Sequence, residues 1–250
     1  VNGYLQVFDD VTTLNEAVAH QWQSIAESAV RDRGAFHVAL AGGGTPRKLY
    51  ERLTQPEHRN GLPWDLTHVY FGDERCVPQD HADSNYRMAS NALLSHASIP
   101  PSQIHAMFNP SLSAKENADH YAGLLADHLP TSASGQPMFD LILLGMGDDG
   151  HTASLFPGTE ILHETNRAVA AQFVHKLDAW RISLTFPTIN AARNIAILVA
   201  GVGKADRMAE IYGNDTSTSS YPIQRVNPTG RLDWYLDRDA AQHITHEASV

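Results

Sequence analysis

The chain has 250 residues, 42% of them hydrophobic, and a formal charge of −10. That is ample apolar material for a buried core, while the acidic balance argues against a general surface for nucleic acid or anionic membrane, which would need clustered Lys and Arg. One cysteine, Cys76, excludes an internal disulfide and any cysteine-held zinc or iron–sulfur centre, and points to a reducing cytoplasm.

The amino-terminal Val1-Asn2-Gly3-Tyr4 lacks the basic-then-apolar layout of a signal peptide, and no apolar run approaches the roughly twenty residues that span a bilayer. Helical spacing begins at 14–30 and is followed by a short apolar run at 36–41 that reads as a buried strand. A helix at 46–53, a strand at 67–71 and helices at 85–94 and 114–129 come next. Strands follow at 139–144, 168–174, 181–186 and 195–200, then a helix at 204–212. This alternation predicts an α/β fold with a mainly parallel sheet covered by helices on both faces, its binding loops gathered beyond the carboxyl ends of the strands. Segments 130–137 and 213–222, rich in Ser, Thr, Gly and Pro, read as surface loops within one domain spanning 1–250, because the pattern resumes after each. No solenoid-length repeat and no long low-complexity tract is visible.

The densest chemistry lies in Phe139-Asp-Leu-Ile-Leu-Leu-Gly-Met-Gly-Asp148-Asp149-Gly150-His151-Thr152. An apolar strand stops in a glycine-rich turn bearing two carboxylates and an imidazole, a group suited to proton transfer near neutral pH. Gly145-x-Gly147-x-x-Gly150 formally matches a dinucleotide fingerprint, but Asp148 and Asp149 would repel a pyrophosphate and Pro157 cuts the next helix short. Upstream, Ala41-Gly42-Gly43-Gly44-Thr45-Pro46-Arg47 directly follows a strand. Its glycines let N–H groups converge, Thr45 is placed to cap a helix and Pro46 fits a first turn, so this is an anion-binding helix start. The Walker spacing is absent there and around Gly201-Val202-Gly203-Lys204.

Gly72-Asp73-Glu74-Arg75 sets three charges at a strand's end, which must face solvent or line a polar pocket. There Arg75 could neutralise phosphate or carboxylate, and Asp73 could accept from sugar hydroxyls. Arg181, opening its strand, and Lys204, starting a helix, can converge on one anion with the Gly42 to Thr45 loop. No GxSxG elbow marks a serine hydrolase, and no HExxH or comparable spacing marks a metal centre.

Taken together, Ala41-Gly-Gly-Gly-Thr-Pro, Gly72-Asp-Glu-Arg-x-Val-Pro, Ser84-Asn-Tyr-Arg, Gly145-Met-Gly-x-Asp-Gly-His-Thr-Ala-Ser-Leu-Phe-Pro-Gly and the Arg181 and Lys204 segments resemble the 6-phosphogluconolactonases over most of the chain. The resemblance implies a three-layer α/β sandwich with a Rossmann-like sheet, shared with glucosamine-6-phosphate deaminase. It implies hydrolysis of 6-phospho-D-glucono-1,5-lactone to 6-phosphogluconate in the oxidative pentose phosphate pathway, with no cofactor and no metal. Its small-molecule partner is a phosphosugar lactone, and a monomer or homodimer is expected.

By the same resemblance His151 is the catalytic histidine, Gly43, Gly44, Thr45, Arg181 and Lys204 bind the phosphate, and Asp73, Arg75 and Asn85 complete the pocket. His151 would take a proton from water attacking C1 and return it to the ring oxygen, with Asp149 a candidate to orient or charge the imidazole. Loop N–H groups or a cation such as Arg75 would meet the oxyanion. The deaminases carry an acidic residue where this chain has Phe156, which disfavours the multiple proton transfers of an amino-sugar deaminase or isomerase. A non-catalytic sugar-phosphate sensor is the other alternative, and it would have no need of His151.

Overall fold

The computed structural model describes residues 2–213 and 221–244. Strand β1 (Tyr4–Phe8) leads into the long helix α1 (Val11–Arg33), and β2 (Phe36–Leu40) into α2 (Gly44–Leu53) and the single turn α3 (Pro56–Arg59). Next come β3 (Thr67–Phe71), the short β4 (Asp73–Arg75), α4 (Asn85–Ala89) and α5 (Ala114–His128). The second half holds β5 (Leu141–Gly145), β6 (Val169–Val174), β7 (Ala179–Leu184), α6 (Phe186–Asn190) and β8 (Asn194–Val199). It ends with α7 (Ala205–Tyr212), β9 (Arg231–Asp237) and α8 (Arg238–Ala241).

Local chemistry accounts for the boundaries. The Asp10 carboxylate accepts from Thr12 N and Thr13 N, both at 2.8 Å, and Gly34 stops α1 in a left-handed conformation at φ 83°. A cap of this kind is worth about 1 kcal/mol. Leu14, Val18, Trp22, Ile25 and Ala29 fall at helical spacing and are buried, so one stripe of α1 faces the core. Ser113 and Glu116 cap α5 reciprocally. The helix expected over 85–94 ends as α-helix at Ala89 and widens across Ser90–Leu94, where Ser95 N reaches back to Ser90 O at 3.0 Å.

Six strands form an all-parallel sheet in the order β1-β9-β8-β5-β2-β3. From β2 the chain steps outward to β3, and from β5 it steps the other way through β8 to β9, so the strand order reverses between β2 and β5. A crevice opens beyond the carboxyl ends of strands at such a reversal. Both flanking strands are apolar and buried, Val38 to Leu40 and Leu141 to Leu144, and are held in register by Val38↔Leu141 and Ala39↔Ile142.

Two of the expected strands leave this sheet. Segments 168–174 and 181–186 appear as β6 and β7, which pair antiparallel with each other and with β4 in a second sheet ordered β4-β7-β6. The reason is the connection: only His175–Asp178 separates them, with Asp178 at φ 47°, and a parallel crossover needs a dozen or more residues. Because β7 begins at Ala179, Arg181 lies within it rather than opening it.

Two strands of the main sheet escaped the pattern. β1 is short, lies at the sheet edge and has no fully buried residue. β9 is buried from Leu232 to Asp237 yet carries two aspartates. Asp233 is neutralised by Arg231 through contacts of 2.6 and 3.0 Å, and Asp237 accepts from Gly201 N and Ala240 N. Buried apolar side chains of both sheets belong to one contiguous cluster. The loop at 130–137 is closed by Ser132 N to Gln136 O at 2.8 Å; most of the loop expected at 213–222 lies outside the described residues. No described helix is long and apolar enough to cross a membrane.

Candidate active site

The strand-order reversal opens into a cleft of about 530 Å³. One wall is the turn after β5, which closes on itself: Gly147 N donates to His151 O at 2.9 Å, Gly150 N to Gly147 O at 3.0 Å, and Thr152 Oγ1 to Gly145 O at 2.9 Å. Within it Asp149 Oδ1 accepts from His151 N at 3.2 Å and lies 2.5 Å from His151 Nδ1. Lys176, from the β6–β7 connection, bonds the other carboxylate oxygen. Burial works to raise the Asp149 carboxyl, but the hydrogen bonds from Lys176 and His151 outweigh it and hold it down at about 2. An ionised acceptor at Nδ1 assigns the proton to that nitrogen and leaves Nε2 to act as a base.

Gly147 makes this possible, because a Cβ there would sit 2.0 Å from His151 Nδ1. The Phe156 ring covers the imidazole at 4.1 Å between centroids, and the Lys176 ammonium stands 4.6 Å over the same ring. The N–H groups of Gly147, Gly150 and His151 are spent inside the turn, so they are not free to receive an oxyanion.

The opposite wall is cationic. Arg75 on β4 and Arg181 on β7 are direct cross-strand partners, and both line the cleft. Like charges directly opposite destabilise a sheet, so the pair makes sense around a bound anion. Burial, and then the charge of Arg75, lowers the pKa of Arg181. Arg75 Nη1 donates to Asp83 O at 2.5 Å, while its buried Nε has no partner among the described residues. Beside them, α2 starts at Gly44 with Gly43 as its cap and no capping side chain. Thr45 is therefore the helix's second residue, not its cap, and the first-turn N–H groups face outward as anion donors.

Strand alternation splits the Asp73-Glu74-Arg75 trio. Asp73 lines the cleft, with Oδ2 accepting from Ser154 Oγ at 2.7 Å and Oδ1 from Asn85 Nδ2 at 3.2 Å. Asn85 in turn packs where a Cβ on Gly42 would lie 2.1 Å from its Oδ1. Glu74 points the other way, 2% exposed, and accepts from the N–H groups of Arg75, Asn85 and Tyr86 at 2.8 Å each and from Ser84 Oγ at 3.2 Å. Burial pushes its carboxyl up, and the three N–H bonds oppose that. Glu74 thus ties β4 to α4 and sets Asn85 beside Asp73.

Of the residues expected from sequence, Gly43, Asp73, Arg75, Asn85, Asp149, His151 and Arg181 meet around the cleft. Gly44 and Thr45 sit behind Gly43 in the first turn of α2, and Lys204 is paired with Asp148 at the rim rather than beside Arg181. Lys176, Ser154 and Glu74 were not foreseen. Ser154 stands three residues beyond His151 in the same motif, a signal that could have been used. Lys176 carries none, since only the fold of the hairpin over the β5 turn brings it to Asp149.

Fold and site together define an α/β enzyme that moves protons on a small anionic substrate. The chain belongs to the glucosamine-6-phosphate isomerase/6-phosphogluconolactonase family, whose model matches residues 9–234. It is 42% identical over 216 residues to a 6-phosphogluconolactonase of Synechocystis sp., covering 86% of this chain and 88% of that one. It is 39% identical over 224 residues to the 6-phosphogluconolactonase of Nostoc sp., covering 88% and 89%. Among solved structures, the 6-phosphogluconolactonase from Trypanosoma brucei superposes with a TM-score of 0.84 at 30% identity, over 98% of this chain and 99% of its own. A monomeric glucosamine-6-phosphate deaminase superposes with a TM-score of 0.79 over 96% and 99%, but at 17% identity that likeness is one of fold alone.

Proposed function

We infer that this chain hydrolyses 6-phospho-D-glucono-1,5-lactone to 6-phosphogluconate, a step of the oxidative pentose phosphate pathway. The observation that carries the reading is the His151–Asp149 pair, 2.5 Å apart, set across a cleft from two facing arginines. Nε2 of His151 takes a proton from the water that attacks C1. The imidazolium, stabilised by the Asp149 carboxylate, then delivers that proton to the ring oxygen as the C1–O bond breaks, so one residue serves both transfers. Arg181 and the first turn of α2 hold the phosphate dianion, with Gly43, Gly44 and Thr45 contributing backbone N–H groups, and Asp73, Arg75 and Asn85 complete the pocket. Lys204 joins them only by leaving Asp148. With the N–H groups of Gly147, Gly150 and His151 already bonded, a cation such as Arg75 is the candidate we favour to meet the oxyanion.

Phe156 packs against His151 with the rings tilted by 33° and offers no second proton carrier, which favours a single hydrolytic exchange over the several transfers of an amino-sugar deaminase. The reading includes a reaction without metal or organic cofactor, a cytoplasmic setting in keeping with the lone Cys76, and a monomer or homodimer as the working form. A coupled assay on freshly generated lactone, corrected for spontaneous opening, tests it. Turnover that survives chelation supports the reading; ammonia release from glucosamine 6-phosphate in place of lactone hydrolysis overturns it.

A further inference from the structure

Outside the cleft, a second cluster joins α1 to α3. Glu16 and His20 stand one turn apart on α1, and His58 comes from α3. Nε2 of both histidines lies 3.1 Å from the same Glu16 oxygen, Oε1, and the rings meet edge to face at 5.3 Å. The three ligand atoms all lie within 4.8 Å of one another, the one such group of His, Cys, Asp or Glu side chains among the described residues. None of the three lines the cleft.

We propose that Glu16, His20 and His58 bind one divalent transition-metal ion of the zinc type, clipping α1 to α3. A tetrahedral ion with bonds of about 2.0–2.1 Å to nitrogen and oxygen holds its ligands roughly 3.3 Å apart, so the two 3.1 Å separations from Glu16 Oε1 already suit it and the two imidazole nitrogens, within 4.8 Å of each other, need only a side-chain adjustment. On binding, each neutral imidazole presents Nε2 to the metal and carries its proton on Nδ1, so no proton need be lost from either ring. Two imidazoles and a carboxylate select zinc, cobalt or nickel over magnesium or calcium, which favour all-oxygen cages.

The surroundings suit a cation. Arg52 bonds the other Glu16 oxygen and also Glu57, through a contact of 2.8 Å. With neutral histidines, two carboxylates face one guanidinium, so the cluster has one negative charge in excess before an ion arrives. His58 is 2% exposed and fixed, whereas His20 is exposed, which gives an ion a way in and water a fourth coordination position.

The test uses metal-stripped full-length protein and Zn²⁺ as the probe, read by calorimetric titration and thermal denaturation, with Co²⁺ absorption as a report on geometry. Expected are one saturable site, a raised Tm and tetrahedral cobalt bands, all retained in His151→Asn, which removes the cleft imidazole as a rival ligand. His20→Ala, at an exposed position, should bind at least roughly tenfold more weakly, lose the Tm rise and keep lactone hydrolysis unchanged. Glu16→Gln, which keeps shape but removes charge, should weaken binding in the same direction. Equal Zn²⁺ binding by wild type and His20→Ala, or no binding by folded wild type, overturns the proposal. Neither outcome bears on hydrolysis, which is read separately.

Discussion

His151 and His105 are the same side chain in opposite company. His151 has an ionised carboxylate 2.5 Å from Nδ1 and a cleft beside it. His105 lies in a row along one edge of the main sheet, 5.6 Å from the His68 ring and 4.8 Å from that of His128, with His37 4.8 Å beyond His68. Its Nε2 faces His68 Nδ1 at 3.3 Å, and the Tyr70 ring covers it at 4.4 Å. Burial, followed by the neighbouring imidazoles, pushes both His37 and His105 down to about 4. An imidazole is thus made useful for proton transfer by a carboxylate, and kept neutral by burial among its own kind.

Removing the useful member should have the largest effect. His151→Asn keeps some hydrogen-bonding ability but no titrating base, so kcat should fall by about 10² to 10⁴ with fold and 6-phosphogluconate binding intact. A folded variant with near-wild-type kcat would falsify the mechanism. Asp149→Asn should cost less, about tenfold to 10³-fold in kcat, because Nε2 survives while its orientation and charge partner are lost. Since the Asp149 carboxyl is held at about 2, that partnership is complete above the unfolded carboxylate range and is lost only as pH falls through about 2. Any acid-side decline of kcat/KM well above about 2 should therefore come from a group other than Asp149.

On the cationic wall, Arg181→Ala should lower kcat/KM by roughly tenfold to a hundredfold, equivalent to about 1.5–3 kcal/mol for one charge-assisted bond. Lys204→Ala should cost less, because that ammonium already has Asp148 as a partner. Equal or larger loss at Lys204 would show that it swings inward when substrate binds.

The smallest effect on catalysis, none, is expected from the histidine row, whose signature is stability. His37 and His105 bind protons more readily unfolded than folded. Their contribution is full above about 6.5, the ordinary histidine value, and is lost as pH falls toward about 4. Arg33 lies near enough to add to the lowering at His37. Urea midpoints measured across that window should fall in the wild type and fall less in His105→Gln. Parallel slopes would mean that the row does not set acid stability.

Much of this contrast could be read from the chain. The Gly-Asp-Asp-Gly-His turn announced itself because glycine, carboxylate and imidazole fell together at a strand's end, and the β2 turn did so through its three glycines followed by Thr45 and Pro46. What stayed hidden depended on distance along the chain. Lys176 is 27 residues from Asp149, and its pairing exists only because β6 and β7 fold as a hairpin. The histidine row draws on four segments that no local spacing connects. Strand β9 was masked by aspartates whose neutralisation by Arg231 and by N–H groups is a tertiary fact, and the choice between solvent and a polar pocket for the Asp73-Glu74-Arg75 charges was settled residue by residue only by strand alternation, which turns Glu74 away from the cleft.

The vacancy at Gly147 has a consequence for how this enzyme can change. A single added methyl would collide with the imidazole ring, so even the mildest substitution there should expel His151 to another rotamer and sever it from Asp149. Such a variant would fold, bind phosphate and fail kinetically much as if the base itself had been deleted. The reacting machinery therefore includes a position with no chemistry of its own, and mutational tolerance around the cleft will be governed as much by where atoms are forbidden as by which groups react.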